Sequence, residues 1–327
     1  MTILLISPGS SVRHSGNRCT ASQWADLLRT QGHEVVVSYQ IPESIPSAGV
    51  DLLIAMHGEK SHRTIAAYRA AHPAGKILLA LTGTDIYPDP SPETLQSMEW
   101  ADGLIVLQEK ALDKIPPEFR PKTFVVIQSA RSSSERKAGR TGFFEVCVIG
   151  HFRDVKNPLL TAAAVRLLPA ESRIHIRHAG GILETKYEAL VDREQRENPR
   201  YRWCGELSSE AVGNLLGSSD LMALTSRSEG GARVVGEAIV HGTPVISSRI
   251  DGVAGILGDD YPGFFPDNDA SALAAMLWKA ESDSDFYGTL RDSAASLAHR
   301  FSPETEAEAL AAAVAGTCQT NPSVPRN

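Results

Sequence analysis

Short apolar runs alternate with longer amphipathic segments along almost the whole of this chain. Such alternation is typical of parallel β-sheets whose strands are joined by helical crossovers. Most of the runs are rich in Val, Ile and Leu without polar interruption, which is typical of strands buried on both faces. The sequence therefore predicts an α/β fold.

Two series of elements are separated by the segment 131–142, whose only apolar residue is Ala138. This segment cannot bury a face, so we interpret it as a linker. The first series has predicted strands at Thr2–Ser7, Glu34–Tyr39, Asp51–Met56, Lys76–Leu81, Gly103–Gln108 and Phe124–Gln128, with helices at Thr20–Gln31, His62–Ala71 and Ser91–Ala101. The second has strands at Glu145–Gly150, Arg173–His178, Tyr201–Cys204, Asp220–Thr225 and Pro244–Ser248, with helices at Asn157–Leu168, Lys186–Glu197, Ser209–Gly217 and Gly231–His241.

These series predict two Rossmann-like, doubly wound domains, at residues 1–130 and 143–300. Residues 301–327 are predicted as a C-terminal helix followed by a disordered tail. Ligands of open parallel sheets bind beyond the carboxyl ends of the strands. We therefore expect the chemistry in a central cleft between the two domains.

Composition narrows the functional classes. The net charge of -7 argues against nucleic-acid partners and anionic membranes. No apolar run approaches the roughly eighteen residues of a membrane span, and the N-terminus reads as a strand rather than a secretory signal. Four well-separated cysteines without a C-x-x-C pair fit a reducing compartment. We expect a cytoplasmic protein.

Cations follow the first strand of the second series. Arg153 and Lys156 stand in the turn that begins at Gly150. A planar guanidinium and a compact ammonium together suit a diphosphate. Gly180 ends the next strand, where it either allows a ligand close to the backbone or forms a plain turn.

A second motif lies after the predicted strand Asp220–Thr225. Glu229 precedes Gly230 and Gly231 at a predicted helix start, where backbone N–H groups favour an anion. Glu237 follows eight residues after Glu229, slightly more than two helical turns, so we expect the two carboxylates on similar sides of one segment. Carboxylates there suit sugar or ribose hydroxyls. Together the two motifs predict a site for a diphosphate that carries a sugar, which we call the donor site. It comprises Gly150, Arg153, Lys156, Gly180, Glu229, Gly230, Gly231, Ala232, Arg233 and Glu237.

Basic and small residues cluster in loops of the first domain. They predict a site for a small anion, which would be the acceptor of the sugar. The candidates are Gly9, Arg13, Gly16, Asn17, Arg18, Lys60, Thr82, Gly83 and Thr84. His57 and Asp85 are candidates to orient the acceptor. Alternatively, His57 is a core or capping histidine and Asp85 an N-cap.

No D-x-D motif stands at a strand end, so we predict no metal and no cofactor. Asp283-Ser284-Asp285 has the letters of that motif, but it lies between predicted helices and is interpreted as a cap.

The E-x7-E pair, the G-x-x-R-x-x-K turn and His241-Gly-Thr-Pro-Val-Ile246 resemble the retaining-type GT-B glycosyltransferases. This resemblance covers the whole chain. It implies that Arg153 and Lys156 bind the donor diphosphate, that Glu237 binds the ribose, and that Glu229 lies near the sugar. Gly231 and Ala232 depart from the family, since they stand where a Phe-Gly pair is common.

Further segments resemble the selenosugar synthases of selenoneine biosynthesis, a family within that superfamily. They include S-P-G-S…G-N-R, M-H-G-E-K-S-H, L-T-G-T-D-I-Y, G-H-F-R-D-V-K-N-P and D-Y-P-G-F-F-P. The resemblance implies transfer of the sugar of UDP-N-acetylglucosamine or UDP-glucose to the selenium of selenophosphate, with functional coupling to a selenophosphate synthetase. A glycosyltransferase with a hydroxyl acceptor, a UDP-sugar epimerase and a non-catalytic nucleotide-sugar binding protein remain as alternatives.

Overall fold

The computed structural model describes residues 1–8, 16–39, 49–132 and 142–319. The chain divides into two compact units, one formed by Met1–Gln128 with Pro303–Asn327 and the other by Ser129–Ser302. The greater part of the predicted linker, residues 133–141, and the predicted disordered tail, residues 320–327, lie outside the described residues.

The strands and helices of both units are numbered in chain order. The strands are β1 (Thr2–Ile6), β2 (Glu34–Ser38), β3 (Leu52–Met56), β4 (Lys76–Leu81), β5 (Gly103–Val106), β6 (Thr123–Val125), β7 (Phe144–Ile149), β8 (Ile174–Ala179), β9 (Tyr201–Trp203), β10 (Leu221–Leu224), β11 (Val245–Ser248) and β12 (Phe264–Phe265). The α-helices are α1 (Gly16–Thr30), α2 (His62–Ala71), α3 (Pro92–Trp100), α4 (Leu160–Val165), α5 (Glu188–Glu197), α6 (Ser209–Ser218), α7 (Arg233–Val240), α8 (Asp251–Leu257), α9 (Ala270–Ser282), α10 (Ser284–Ser296) and α11 (Pro303–Gln319).

The first unit contains one parallel sheet of order β2-β1-β3-β4-β5-β6. Its four inner strands are buried on both faces, because alternate residues pack against different helices. Ile3 and Leu5 join a core with Trp24 of α1, whereas Leu4 and Ile6 join a core with Tyr68 of α2. The reversal of strand order between β1 and β3 is a switch point, where loops after the strands leave room for a ligand.

Helix α11 packs on the first unit, although residues 126–302 separate it from the end of β6. The carboxylate of Glu306 is buried and accepts hydrogen bonds from Trp24 Nε1, at 2.8 Å, and from Gln23 Nε2. Leu310, Ala313 and Val314 complete the core beneath α1. The predicted segment 301–327 is therefore helical where it is described, and it belongs with the first unit.

The second unit also contains one parallel sheet, of order β12-β11-β10-β7-β8-β9. Numbered within the unit, this is the 3-2-1-4-5-6 order of the doubly wound dinucleotide-binding fold. Its switch point lies between β7 and β10, which pair in parallel through Val146 and Leu221. Both units are thus Rossmann-like, and the predicted α/β fold class is confirmed.

Two predicted helices of the second unit begin later than the sequence pattern indicated. The prediction of a helix over Asn157–Leu168 is wrong at its start, because Asp154–Lys156 form a 3-10 turn and Asn157 is left-handed at φ 44°, so α4 begins at Leu160. The predicted helix Gly231–His241 begins at Arg233, because Ala232 is left-handed at φ 32°. Within the described ranges, no helix is both long and apolar enough to cross a bilayer.

Candidate functional site

The strongest candidate site lies at the switch point of the second unit. The turn with Arg153 and Lys156 follows β7, and the segment that leads to Glu229 follows β10, the neighbouring strand. Because the carboxyl ends of adjacent parallel strands lie at one edge of the sheet, the two loops meet there. The structure thus brings together two segments that are more than seventy residues apart in sequence.

One ion pair joins the two loops. Lys156 Nζ donates to Glu229 Oε1 at 2.5 Å, and the two side chains are only 21% and 11% exposed. Ser226 Oγ donates to the same carboxylate oxygen at 2.6 Å. Both contacts fall on one oxygen, and no described residue donates to Glu229 Oε2. The carboxylate is therefore held in one orientation with its second oxygen available to a ligand.

Further hydrogen bonds fix the 153–157 turn on the loop after β10. Thr225 Oγ1 donates to the carbonyl oxygens of Lys156, at 3.1 Å, and Asn157, at 3.0 Å. The amide of Arg227 donates to the carbonyl of Val155 at 2.8 Å. These contacts involve backbone that no regular element satisfies, so they define the turn's conformation.

Asp154 braces the same turn from the other side. It accepts hydrogen bonds from Lys186 Nζ and from Tyr187 Oη, the latter at 2.7 Å. The Lys186 bond, followed by the Tyr187 bond, lowers the pKa of Asp154. Burial, with the hydrogen bond to Asp154, raises the pKa of Tyr187 to about 12. The turn is thus held between the loops that follow β8 and β10.

Two guanidinium groups at this site carry buried nitrogens without an acceptor. Arg153 Nε and Arg233 Nη1 are buried and have no hydrogen-bond partner among the described residues. Arg233 Nε donates to Glu237 Oε1 at 2.9 Å, so one face of that guanidinium is satisfied and the other is not. A buried donor left unpaired costs about 1–3 kcal/mol. Such donors are expected where an external acceptor completes the site.

The helix entrance differs from the predicted geometry. Glu229 precedes α7, whereas Glu237 lies in its second turn, so the expectation that both project from one helical segment is wrong. Gly230 and Gly231 form the loop before the helix, and Ala232 is its N-cap in a left-handed conformation. This conformation is unfavourable for alanine and easy for glycine. It gives a physical reason for the glycine that is common at this position in the family resembled.

Gly180 packs closely against the end of the neighbouring strand. A Cβ at this position would lie 2.0 Å from the carbonyl oxygen of Gly150, so a glycine is required by the neighbouring strand. Its amide donates to the carbonyl of Gly205, and its carbonyl accepts from Trp203 Nε1. Its polar backbone groups are therefore already bonded. At Gly150, by contrast, the fold leaves room for a side chain, because no described atom lies within 4 Å of the position of a Cβ there.

His178 supports the Gly150 turn from beneath. Its Nε2 lies 2.9 Å from the carbonyl oxygen of Gly150 and its Nδ1 lies 2.8 Å from Tyr201 Oη. The ring stacks on Phe152 with centroids 4.3 Å apart. Burial lowers the pKa of His178 to about 4. The imidazole is therefore neutral at pH 7 and acts as a core hydrogen-bonding group.

This burial predicts an acid-dependent loss of stability. The unfolded chain binds a proton at His178 near its ordinary pKa of 6.5, while the folded chain does so only near 4. Stability is therefore complete above pH 6.5 and falls by about 3 kcal/mol as the pH drops to 4. Urea unfolding at pH 7, 5.5 and 4 should show a weaker pH dependence for His178→Gln than for the wild type. Equal slopes would contradict a neutral, buried His178.

In the first unit, Asp85 organises the loops after β3 and β4. Its side chain is buried and accepts from the amides of Gly58, at 2.8 Å, and Gly83, at 2.7 Å. It also accepts from the amide of Thr82 at 2.9 Å. No helix begins directly after Asp85, so the N-cap alternative is wrong, although the carboxylate does bind turn amides. With these donors in place, Asp85 positions the loops.

His57 is a core histidine that contacts a candidate acceptor residue. Its side chain is buried, and Nε2 lies 2.9 Å from Thr84 Oγ1. Burial lowers the pKa of His57, although the nearby Asp85 opposes that shift. His57 is therefore neutral at pH 7 and adds no positive charge to the acceptor-side loops. Thr84 itself is exposed.

The other acceptor-side candidates are only partly gathered. Asn17 Nδ2 donates to Thr82 Oγ1 at 3.2 Å, which joins the start of α1 to the loop after β4. Gly16, Asn17 and Arg18 form the first turn of α1 rather than the predicted loop. The Arg18 guanidinium lies 4.1 Å from the centre of the Tyr39 ring. Lys60 is exposed, and Gly9 and Arg13 lie outside the described residues.

The letters D-x-D at Asp283 mark a helix cap, as predicted. Asp283 accepts from the amides of Asp285 and Phe286 at the start of α10. Among the described residues, no group of three or more His, Cys, Asp or Glu side chains is arranged to hold a metal ion. The absence of a metal requirement stays a prediction.

Three residues outside the predicted site support Glu229. Ser226 binds Glu229, and Ser248 Oγ donates to the carbonyl of Ser226 at 2.5 Å. Gly252, at the start of α8, lies against Glu229 so closely that a Cβ there would be 1.9 Å from its carbonyl oxygen. Serines and isolated glycines are common in loops, so only Ser226, three residues before Glu229, could have been noticed from the sequence.

The chain is an α/β protein with two Rossmann-like units. The second unit gathers cations and carboxylates at its switch point, which is where ligands of such sheets bind. The family model "Glycosyl transferases group 1" matches residues 131–297, just over half of the chain. The chain therefore belongs to this family of glycosyltransferases. No curated protein matches the sequence significantly.

Several solved structures share the fold over almost the whole chain. The HepE protein of Anabaena, solved with UDP and glucose, has a TM-score of 0.73 at 16% identity and covers 96% of this chain and 99% of its own. Sucrose-phosphate synthase of Thermosynechococcus elongatus has a TM-score of 0.72 at 16% identity, covering 94% and 96%. A glycosyltransferase of Rickettsia africae has a TM-score of 0.71 at 14% identity, also covering 94% and 96%. At these identities the likeness establishes the fold.

Proposed function

We propose that this glycosyltransferase takes the sugar of a UDP-sugar, UDP-N-acetylglucosamine or UDP-glucose, and transfers it to the selenium of selenophosphate. The donor half of the proposal depends on the meeting of Lys156 with Glu229 beside the unpaired Arg153 Nε. Cations there suit the diphosphate, and a carboxylate with one available oxygen suits a sugar hydroxyl. HepE of Anabaena has been solved with UDP-glucose, which agrees with this ligand class.

The acceptor half depends on the sequence segments that resemble selenosugar synthases. The described part of the first unit supports it through the contact of Asn17 with Thr82, and through Thr84, which is exposed and contacts His57. Lys60 is exposed in the loop that begins at His57. Hydroxyl and amide donors with a lysine fit a small anion better than a neutral sugar chain. A functional link to an enzyme that makes selenophosphate follows from this substrate.

The proposed reaction has two steps. Selenium attacks the anomeric carbon, a C–Se bond forms, and the bond from that carbon to the β-phosphate oxygen breaks, so UDP leaves with the electron pair. Arg153, Lys156 and the amides of the Gly230–Gly231 loop stabilise the charge that grows on the diphosphate. Water then attacks phosphorus, the P–Se bond breaks, and inorganic phosphate and the 1-selenosugar are released.

Product analysis tests this proposal. The protein is incubated with selenophosphate and each UDP-sugar, and mass spectrometry is used to detect the isotope pattern of selenium in a sugar product. We expect a selenosugar together with equimolar UDP and phosphate. A sugar attached to a hydroxyl acceptor, or an isomerised UDP-sugar, would reject the selenium acceptor but keep the donor site. Binding of UDP without turnover for any acceptor would reject catalysis.

A further inference from the structure

The ammonium of Lys156 is already engaged by a carboxylate. Glu229 Oε1 receives both Lys156 Nζ and Ser226 Oγ, and the Glu229 side chain is only 11% exposed. Close approach of Gly252 to the Glu229 backbone limits movement of this residue away from the pair. A diphosphate that approaches Lys156 therefore meets a cation with a fixed negative charge beside it, and that charge offsets part of the attraction.

Lysine has three N–H donors, so Lys156 can contact Glu229 and a phosphate at the same time. The phosphate and the carboxylate then lie on one ammonium and repel each other. In a site that is mostly withdrawn from water, such repulsion between like charges is poorly screened. Glu229 thus opposes the binding of any terminal phosphate placed on Lys156.

A nucleotide sugar and a free nucleoside diphosphate differ in how they meet this carboxylate. The terminal phosphate of the free diphosphate carries an additional charge near pH 7, because the second ionisation of a phosphate monoester lies near pH 6. In the nucleotide sugar that oxygen is esterified, and the sugar brings hydroxyl donors. Glu229 Oε2, to which no described residue donates, can accept one of them.

We propose that Glu229 discriminates between the nucleotide-sugar donor and the free nucleoside diphosphate, so that the product UDP binds less tightly than it would on Lys156 alone. This inference rests on the proposed donor site. The carboxylate lowers affinity for the diphosphate and restores part of it through the sugar hydroxyl. Release of UDP after transfer is thereby favoured.

Calorimetric titration with UDP and with UDP-glucose, in the absence of acceptor, tests the inference. Glu229→Gln is expected to bind UDP about tenfold more tightly than the wild type, a difference of about 1.4 kcal/mol. The same variant should bind UDP-glucose no more tightly than the wild type, because it loses the charged acceptor for the sugar. Glu229→Ala, which has no amide to donate to a phosphate, should also bind UDP more tightly.

A matched control and a double-mutant cycle complete the design. Glu237→Gln makes the same charge change in the same unit, but its carboxylate is paired with Arg233 and not with Lys156, so it should not tighten UDP. In a Lys156→Met background the gain from Glu229→Gln should shrink, as a double-mutant cycle measures.

The possible outcomes separate the two proposals. If the wild type binds neither UDP nor UDP-glucose, the donor site and the inference both fail. If the wild type binds both, and neither Glu229→Gln nor Glu229→Ala tightens UDP, only the discrimination by Glu229 is overturned. Equal tightening in Glu237→Gln would also overturn it, since the effect would then be general electrostatics.

Discussion

Replacing Arg153 with alanine is expected to lower kcat of sugar transfer by about 10²–10³-fold, the usual effect of removing one donor that stabilises charge in the transition state. Its buried Nε has no acceptor among the described residues, so the protein itself gains little from it. The free energy of unfolding should therefore stay unchanged or rise by up to about 1 kcal/mol as a buried unpaired donor disappears. Loss of activity with retained or increased stability is the expected combination.

The measurement combines steady-state kinetics, with UDP release as the readout, and urea unfolding of the same preparations. Arg196→Ala is the matched control, because it removes the same charge from an exposed position of α5 in the same unit. That variant should differ little from the wild type in either measurement. An Arg153→Ala protein that keeps full turnover would remove Arg153 from the donor site.

The parts of the site that the sequence predicted are those encoded by local motifs. Arg153, Lys156 and Glu229 stand at the ends of strands that the apolar pattern located within a few residues. In a parallel sheet, the ends of neighbouring strands meet, so the order of the strands brings Lys156 to Glu229. Their meeting followed from topology, whereas their binding roles stay predictions.

Backbone conformation was the main source of error near the site. The apolar pattern placed helix starts at Asn157 and Gly231, and both were early because left-handed residues interrupt the chain at Asn157 and Ala232. Neither residue type predicts a left-handed conformation, since asparagine adopts it only in some contexts and alanine rarely does. For the same reason the helical spacing argument for Glu229 and Glu237 failed.

The apolar pattern also failed to predict one long-range packing contact and two short elements. The alanine-rich C-terminal segment predicted a helix, but nothing in it indicated that α11 would pack beneath α1 of the first unit through Glu306 and Trp24. Strand β12 has only two residues, and α8 contains Gly252 and Gly255, which read as loop residues. The burial that makes His57 neutral likewise depends on packing that a single sequence does not display.

The substitution Gly252→Ala is expected to disturb both stability and catalysis. Its Cβ would lie 1.9 Å from the Glu229 carbonyl oxygen and 2.9 Å from the Glu229 Cβ, far inside contact distance. One of the two backbones must move by about 1 Å. Overpacking of this kind costs about 3 kcal/mol of unfolding free energy at the upper end of its usual range. A displacement of about 1 Å in a positioning residue can lower the rate about 10²-fold.

Gly288→Ala provides the comparison that isolates this cause. Gly288 lies in α10, and no described atom comes within 4 Å of the position of its Cβ. Because alanine favours a helix over glycine, this variant should gain about 0.5–1 kcal/mol of unfolding free energy and keep full activity. Replacing glycine with alanine is thus expected to lower the free energy of unfolding in α8 and to raise it in α10. If Gly252→Ala were as stable and active as Gly288→Ala, the packing of α8 on Glu229 would not hold the carboxylate in place.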